Sequence, residues 1–321
     1  MLYSVLKVIV RIAMMIFCRK IIINKPWLLK INGPVLLACN HPNSFLDGVI
    51  LDVLFEKPLY SLARGDVFKK PIYIKLLQSL NLLPVYRISE GAVHLPINYN
   101  TFNNCKAIFQ QNGIVIIFSE GKCINEWHLR PLKKGTARLA ISCWKENIPL
   151  RVLPAGINYS SFRRFGKNMF INFGEIIEKK AVDLSQPDGI LYQSFNTLLE
   201  QQLKQLVFEI DKKDKEKQQK ILERKPSAIK KTFLFIPALV GFLTHWPVYI
   251  PIKKFTLRRT NHNDHYDSVL TGILLFIYPV YLFLLTLILF FIFHSWYVFL
   301  LLLLLPLTAW SYVQLKFQLD K

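Results

Sequence analysis

The sequence predicts an α/β domain with an N-terminal interfacial helix and a C-terminal transmembrane helical hairpin. Between about residues 34 and 180, short apolar runs alternate with helical stretches, which is the pattern of strands connected by helices. Near the C-terminus, two long segments carry almost no charge. We therefore divide the chain into an N-terminal helix at 1–30, an α/β domain with a basic helical extension at 31–231, and a membrane domain at 232–321.

The N-terminal segment is apolar but carries basic side chains at Lys7, Arg11, Arg19 and Lys20. It has neither the uninterrupted apolar stretch nor the small-residue cleavage site of a signal peptide. A helix that is apolar on one side and basic on the other lies in the plane of a membrane surface. The segment is therefore predicted to be a membrane-interfacial helix.

The α/β domain is predicted to contain strands at its apolar runs and helices at its amphipathic stretches. The predicted strands are residues 35–39, 58–63, 82–86, 114–118, 150–156 and 168–173. The predicted helices are residues 44–55, 72–80, 98–112, 134–146 and 189–210. A highly charged run at 204–231 is interpreted as a solvated helix face that can also touch lipid head groups.

The membrane domain begins with residues 233–252, which are apolar but interrupted by prolines and are predicted to form a re-entrant or interfacial segment. Residues 269–293 and 297–315 are each long and apolar enough to cross a bilayer. Two buried helices of a soluble protein are the alternative, but residues 298–307 have no polar face. Basic side chains precede the first span and follow the second. We therefore expect an integral membrane protein with its α/β domain on the cytoplasmic face.

The composition is both apolar and strongly basic. Of the 321 residues 52% are hydrophobic, and 41 Lys and Arg against 21 Asp and Glu give a formal net charge of +20. This combination is typical of a protein that works against an anionic membrane surface. Nucleic acid is the competing partner for such a charge, but the chain carries no recognised nucleic-acid motif. The five cysteines lie far apart, which favours reduced thiols over a disulfide framework.

The most informative motif is the stretch 40–47, Asn-His-Pro-Asn-Ser-Phe-Leu-Asp, which directly follows a predicted strand. Pro42 keeps His41 extended, and a polar residue after it can cap a helix whose first turn or so holds Asp47. A histidine beside a carboxylate is the arrangement of a general base and the group that fixes its tautomer. The structural alternative is that a carboxylate near a helix N-terminus is favoured by the helix dipole alone.

A second motif consists of two arginines, each directly after a predicted strand. Arg64 follows the strand at 58–63, and Arg87 follows the strand at 82–86. The arginine fork is a rigid bidentate partner for phosphate or carboxylate groups. The alternative is that each arginine is an ordinary surface residue.

A third motif is Ser119-Glu120-Gly121-Lys122, which follows the fully apolar strand at 114–118. Gly121 lets the backbone approach a ligand closely; Glu120 can hydrogen-bond an acceptor hydroxyl, and Lys122 can neutralise a phosphate. An ordinary strand-to-loop turn is the structural alternative. A serine hydrolase using Ser119 is disfavoured, because Phe-Ser-Glu-Gly is not the G-x-S-x-G of such enzymes.

A fourth motif, Val152-Leu153-Pro154, lies in a later predicted strand. In this order the four motifs resemble the glycerolipid acyltransferase superfamily, which includes the glycerol-phosphate and 1-acylglycerol-phosphate acyltransferases. In that superfamily the first motif is N-H-x4-D, and the second ends in an arginine after a short apolar strand. The third is F-P-E-G-T-R, and the fourth contains Val-Pro or a similar strand. The resemblance covers roughly residues 34 to 180.

Two departures from the family motifs are informative. Five residues separate His41 from Asp47 instead of four, which would rotate the carboxylate by about 100° on a regular helix unless the turn absorbs the extra residue. This H-x5-D spacing resembles the fungal-type glycerol-phosphate and dihydroxyacetone-phosphate acyltransferase branch. In the third motif, Lys122 and Cys123 stand where the family has Thr-Arg. Phosphate contact would then pass to Lys122 or to an arginine of the second motif.

The resemblance implies a membrane O-acyltransferase that moves a fatty acyl group from an acyl thioester, either acyl-CoA or acyl-carrier protein. The implied acceptor is a hydroxyl of 1-acylglycerol 3-phosphate or glycerol 3-phosphate in phospholipid biosynthesis. His41 would be the general base and Asp47 the carboxylate that orients it. The implied substrate-binding residues are Arg64, Arg87, Glu120, Gly121 and Lys122. We expect membrane lipids and the acyl donor as partners, and no nucleic acid, cofactor or metal.

Other interpretations stay open. The acceptor can be another lysophospholipid or an amino-acid lipid, and the fold can serve as an inactive membrane scaffold. A dense polar cluster at residues 262–267, His-Asn-Asp-His-Tyr-Asp, precedes the first predicted span. We interpret it as a polar cap at the membrane surface rather than a metal site.

Overall fold

The computed structural model describes residues 2–86 and 95–320, and within these ranges the chain forms one seven-stranded sheet flanked by helices. The strands are β1 (Cys18–Ile23), β2 (Val35–Cys39), β3 (Leu59–Arg64), β4 (Leu82–Val85), β5 (Ile114–Phe118), β6 (Arg151–Tyr159) and β7 (Lys167–Phe173). The helices are α1 (Leu2–Phe17), α2 (Phe45–Leu54), α3 (Pro71–Ser79), α4 (Leu95–Gln110), α5 (Gly135–Lys145), α6 (Asp188–Leu206), α7 (Lys215–Leu222), α8 (Ala228–Arg259), α9 (Tyr266–Phe293) and α10 (Leu301–Leu315).

The strand order of the sheet is β1-β7-β6-β2-β5-β3-β4. Neighbouring strands run parallel except β6 and β7, which are antiparallel. The predicted α/β class is confirmed.

Strand β2 lies in the middle of the sheet, between β5 and β6, and is buried along its whole length. Its side chains alternate between two cores: Val35, Leu37 and Cys39 face the first, whereas Leu36 and Ala38 face the second. Helices α1 and α2 cover the first face, and α4, α5 and α6 cover the second. A strand covered on both faces must be apolar at every position, which explains the continuous apolar run in the sequence.

The carboxyl ends of β2 and β5 meet at one edge of the sheet. Cys39 at the end of β2 pairs with Phe118 at the end of β5, and on its other side with Ala155 of β6. Ligand sites in open α/β sheets lie outside the carboxyl ends of the strands. The loop after β2 and the loop after β5 therefore lie side by side where such a site is expected.

The N-terminal segment departs from the prediction. Helix α1 ends at Phe17, and the next residues form β1, which pairs in parallel with β7 instead of continuing a helix to residue 30. The three isoleucines of β1 are β-branched and favour a strand. This strand was not predicted from the sequence, because Arg19 and Lys20 interrupt its apolar run.

Helix α1 has apolar residues on two faces. Met14 and Phe17 are buried in the core, whereas Val5, Val8 and Ile12 are exposed. Exposed apolar side chains at helical spacing suit contact with a lipid surface. The expectation of an interfacial helix therefore stays a prediction for α1 alone.

The C-terminal region contains one more long helix than expected. The described chain has three helices long and apolar enough to cross a membrane, at 228–259, 266–293 and 296–315. Residues 233–252, predicted as a re-entrant or interfacial segment, lie within the continuous helix α8, which runs through all three prolines. Helices tolerate internal prolines where a neighbouring helix compensates for lost hydrogen bonds. Here α8 packs closely on α10: a Cβ at Gly241 would lie 2.1 Å from the carbonyl oxygen of Thr308.

Candidate active site

The turn after β2 is tied to β6 by the side chain of Asn40. Its Nδ2 donates to the carbonyl oxygen of Ile157 (3.0 Å), and its Oδ1 accepts from the Ile157 N–H (2.7 Å). The amide therefore satisfies the same two backbone groups that another strand residue would bond. This pairing fixes the starting point of the turn that carries His41.

His41 and Asp47 form a hydrogen-bonded pair. His41 Nδ1 lies 2.9 Å from Asp47 Oδ2, with the imidazole 18% exposed and the carboxylate fully buried. The imidazole also stacks on the ring of Phe118, with centroids 3.9 Å apart and planes inclined by 15°. Two contacts thus set the ring orientation, while one edge of the ring stays open to solvent.

Two further donors surround the Asp47 carboxylate. The N–H of Asn43 donates to Oδ2 (2.8 Å), and the hydroxyl of Tyr159 donates to Oδ1 (2.7 Å). Burial raises the pKa of Tyr159, so its hydroxyl keeps the proton that it donates. An ionised carboxylate only accepts hydrogen bonds, so His41 carries its proton on Nδ1 and a lone pair on Nε2. The pair therefore has the arrangement of a general base and its orienting carboxylate.

The turn absorbs the extra residue of the H-x5-D spacing. Ser44 has φ 54° and ψ −146°, a backbone conformation that few non-glycine residues adopt. Helix α2 begins only at Phe45, which places Asp47 in its first turn. The rotation that a regular helix would impose is therefore removed before the helix starts.

Glu120 holds two loops together. Its Oε2 accepts from the N–H of His41 (2.9 Å), and its Oε1 accepts from the N–H of Arg130 (2.9 Å). Burial raises the pKa of this carboxyl from 4.5 to about 6. Both oxygens thus bond the protein's own backbone, which makes Glu120 a positioning group for His41. A bond from Glu120 to an acceptor hydroxyl would have to share these oxygens.

Gly121 makes the turn after β5. Its φ is +66°, and its N–H donates to the carbonyl oxygen of Phe118 (3.0 Å). A Cβ at this position would lie 3.0 Å from Lys133 Cγ, so glycine meets both the conformational and the steric demand of the turn. Lys122, the next residue, is exposed.

The two predicted arginines have different outcomes. Arg64 is exposed at the end of β3 and bonds Asp66 through Nε (3.1 Å) and Nη2 (2.5 Å). Arg87 lies outside the described residues. The structure thus brings His41, Asp47 and Glu120 together, whereas the recorded polar contact of Arg64 is with Asp66.

Several residues of the site were missed in the sequence. Phe118, Tyr159 and Asn43 contact the His41–Asp47 pair, and Asp267 contacts Asn43. Phe118 and Tyr159 end β5 and β6 at the same edge of the sheet as His41, so strand ends were the available signal. No local signal connects Asp267 to this site.

Ser119 and the polar cluster at 262–267 were the remaining candidates for a functional role. Ser119 is 2% exposed, and its hydroxyl accepts a hydrogen bond from Thr136 Oγ1 (3.0 Å), which leaves a nucleophile role without support. In the cluster at 262–267, Asp267 is fully buried rather than part of a surface cap. Among the described residues, no three His, Cys, Asp or Glu side chains are grouped so as to hold a metal ion.

Comparisons with known proteins address the same region. Residues 20–158 match the family model described as Acyltransferase. The chain is 25% identical over 140 residues to glycerol-3-phosphate O-acyltransferase 1 of Saccharomyces cerevisiae, in an alignment that covers 43% of this chain and 17% of the yeast protein. A solved structure, the 1-acyl-sn-glycerophosphate (LPA) acyltransferase PlsC from Thermotoga maritima, aligns with a TM-score of 0.40 and 15% identity. That alignment covers 59% of this chain and 70% of the bacterial chain.

The matched residues run from β1 to the end of β6 and therefore enclose His41, Asp47 and Glu120. Residues 20–158 therefore match an acyltransferase domain, and the yeast relative of this region is named as a glycerolipid acyltransferase. The resemblance drawn from the four motifs is confirmed for this region.

Proposed function

We propose that this chain is a membrane O-acyltransferase that transfers a fatty acyl group from an acyl thioester to a hydroxyl of glycerol 3-phosphate or 1-acylglycerol 3-phosphate. The observation that carries the proposal is the pair formed by the His41 imidazole and the buried Asp47 carboxylate. Among the described residues, none forms a hydrogen bond with His41 Nε2. This nitrogen is therefore available to a substrate.

The reaction needs one base that later acts as an acid. His41 Nε2 takes the proton of the acceptor hydroxyl as the hydroxyl oxygen attacks the carbonyl carbon of the thioester. The carbon–sulfur bond then breaks, and the imidazolium returns the proton to the departing thiolate. The products are an ester and a free thiol. A positioned base of this kind contributes about 10²- to 10⁴-fold to the rate.

The surroundings of Asp47 support this cycle. Its negative charge stabilises the imidazolium that forms during the attack. The donors Asn43 N–H and Tyr159 O–H keep the carboxylate in place while the charge on His41 changes. Glu120 holds the His41 backbone, so the ring needs little rearrangement between the two proton transfers.

The choice of acceptor rests on different support. The yeast relative is named for glycerol 3-phosphate, and the basic side chains of Arg64 and Lys122 suit an acceptor phosphate. The three long apolar helices would hold the domain at a bilayer, where a monoacyl lipid acceptor resides. The basic residues at the ends of the apolar segments favour a domain on the cytoplasmic face.

The test is acyl transfer by the full chain purified in detergent. Labelled palmitoyl-CoA and palmitoyl-acyl-carrier protein are each offered with glycerol 3-phosphate and with its 1-acyl form. His41→Ala is the inactive control, and His128→Ala is the matched control, because His128 is exposed and bonds Glu209. We expect product from the wild type and from His128→Ala, and none from His41→Ala.

The pattern of products decides between the remaining interpretations. Product from only one acceptor names the reaction. Product only with another lysophospholipid or an amino-acid lipid would keep the chemistry and change the acceptor. A wild-type protein that matches His41→Ala with every donor and acceptor would overturn the proposal and favour an inactive scaffold.

A further inference from the structure

The start of α9 and the residues before it contact the turn between His41 and Asp47. Asn43 Nδ2 donates to Asp267 Oδ2 (2.7 Å), and Ser44 Oγ lies 2.6 Å from His265 Nδ1. The backbone continues this contact, since the N–H of Leu46 lies 3.3 Å from Ser268 Oγ. The C-terminal helices are therefore connected to the catalytic turn by side chains more than two hundred positions away in sequence.

Asp267 is part of a fully buried ion pair. Its Oδ2 contacts the ammonium of Lys167, which begins β7, and both side chains have no exposed surface. The Lys167 ammonium also lies 5.8 Å from the centroid of the Tyr159 ring. Buried charges of this kind are costly unless each is paired and hydrogen-bonded. Asn43 supplies one such hydrogen bond.

Asn43 connects this ion pair to the catalytic pair. Its side chain donates to Asp267, while its own N–H donates to Asp47 Oδ2. A shift of the Asn43 side chain would therefore move a donor that holds the carboxylate beneath His41. The other two contacts act on neighbouring residues of the same turn, including Ser44 with its positive φ.

We propose that Asp267, paired with Lys167, is a positioning residue for the His41–Asp47 pair and acts through Asn43. The C-terminal helices then complete the active site in addition to holding the domain at a membrane. This inference rests on the proposed function. Neither Asp267 nor Lys167 has exposed surface with which to touch a substrate, so both affect turnover and not substrate affinity.

The experiment compares variants that remove both buried charges together, because one unpaired buried charge would destabilise the fold. Lys167→Met with Asp267→Leu removes the acceptor for Asn43, and we expect kcat to fall about tenfold with both KM values nearly unchanged. Lys167→Met with Asp267→Asn keeps a side-chain oxygen for Asn43. This second double variant should recover most of the kcat that the first one loses. A purely structural role of the ion pair would not predict this recovery.

A second arm tests whether Asp267 acts through Asn43. Asn43→Ala removes the amide but keeps the backbone N–H that bonds Asp47. We expect it to lower kcat as much as the Asp267→Leu pair, and the combination of the two to be no worse than either. Asp320→Asn is the control, because Asp320 contacts Ser161 and Phe162 rather than the catalytic turn.

The outcomes separate this inference from the proposed function. An inactive wild type overturns the proposed function and this inference with it. With an active wild type, two results overturn the inference alone. One is that the losses of kcat multiply when Asn43→Ala is combined with the Lys167→Met, Asp267→Leu double variant. The other is a full kcat in that double variant when it is folded. If that pair does not fold, Asn43→Ala decides by itself: full kcat overturns the inference, and a lower kcat at unchanged KM supports it.

Discussion

The imidazole of His41 lies almost flat on the ring of Phe118, with centroids 3.9 Å apart and planes inclined by 15°. Phe118 is the last residue of β5, and its neighbour in register is Cys39, two residues before His41. The sheet therefore places the aromatic surface under the imidazole directly. The stack and the bond to Asp47 together leave the ring one orientation, with Nε2 directed away from the carboxylate.

Phe118→Leu tests the stack. Aromatic pairs contribute about 0.5–1.5 kcal/mol beyond their buried area, so we expect kcat for acyl transfer to fall about two- to tenfold while the fold is kept. Steady-state kinetics of the purified variant give the value. Phe102→Leu is the control, because Phe102 is a half-buried phenylalanine that packs in the second core. Equal losses in both variants would show that the effect is general loss of packing.

Tyr159→Phe tests the support of the Asp47 carboxylate. The change removes the hydroxyl that donates to Asp47 Oδ1 and keeps the ring in the core. A hydrogen bond to a buried charged group contributes about 1.5–3 kcal/mol. We therefore expect lower thermal stability in detergent and a kcat that falls about tenfold.

Tyr192→Phe is the matched control for this prediction. Tyr192 also donates to a carboxylate, Asp188, but this bond is exposed at 3.0 Å. Exposed pairs of this kind contribute little to stability. A wild-type kcat in Tyr159→Phe would exclude a role for this hydroxyl in supporting Asp47.

Glu120 gives stability a pH dependence of known sign. Its folded pKa is about 6, raised from 4.5 chiefly by burial, so the folded state holds this proton more tightly than the unfolded state. Stability therefore falls as pH rises through the range from 4.5 to 6, and the total loss from well below to well above this range is about 2 kcal/mol for this group. Thermal unfolding of the wild type and of Glu120→Gln across this window isolates the slope, because glutamine does not titrate.

Glu126→Gln is the control for the pH experiment, since Glu126 bonds the Arg130 side chain at 3.1 Å instead of the backbone. We expect this variant to keep the wild-type slope and Glu120→Gln to lose it. Glutamine also directs an N–H₂ group at one of the two backbone donors, so Glu120→Gln should have lower kcat at neutral pH. A wild-type slope in Glu120→Gln would assign the pH dependence to another group.

The sequence predicted those features of the fold and of the site that depend only on neighbouring residues in the chain. The bounds of β2 and β5 match the apolar runs because both strands are buried on both faces. The contact of His41 with Asp47 could be predicted because Pro42 keeps His41 extended, a helix begins shortly after it, and only five residues separate the two side chains. By contrast, the Asn43–Asp267 contact joins distant segments, and β1 depends on β7 for its partner. Helix α8 stays continuous because it packs against α10. The three prolines of α8 suggested an interruption, and nothing in the local sequence indicates this packing.

The acceptor phosphate provides the last prediction, which depends on the proposed function. Arg64 is bonded by Asp66 in an exposed pair, with side chains 58% and 42% accessible. An exposed ion pair contributes about 0–1 kcal/mol, so an acceptor phosphate can displace Asp66 at little cost. If Arg64 contacts that phosphate, Arg64→Ala raises KM for the phosphorylated acceptor with kcat nearly kept, whereas Asp66→Asn lowers this KM several-fold.

The two substitutions act in opposite directions, which separates a phosphate contact from a structural effect. Loss of a surface ion pair alone would change both variants in the same way, since each breaks the same pair. Lys204→Ala is the control, because Lys204 forms an exposed pair with Glu200 on α6 and should keep the wild-type KM. An unchanged KM in Arg64→Ala would remove Arg64 from the acceptor site and leave Lys122, exposed after Gly121, as the next cation to substitute.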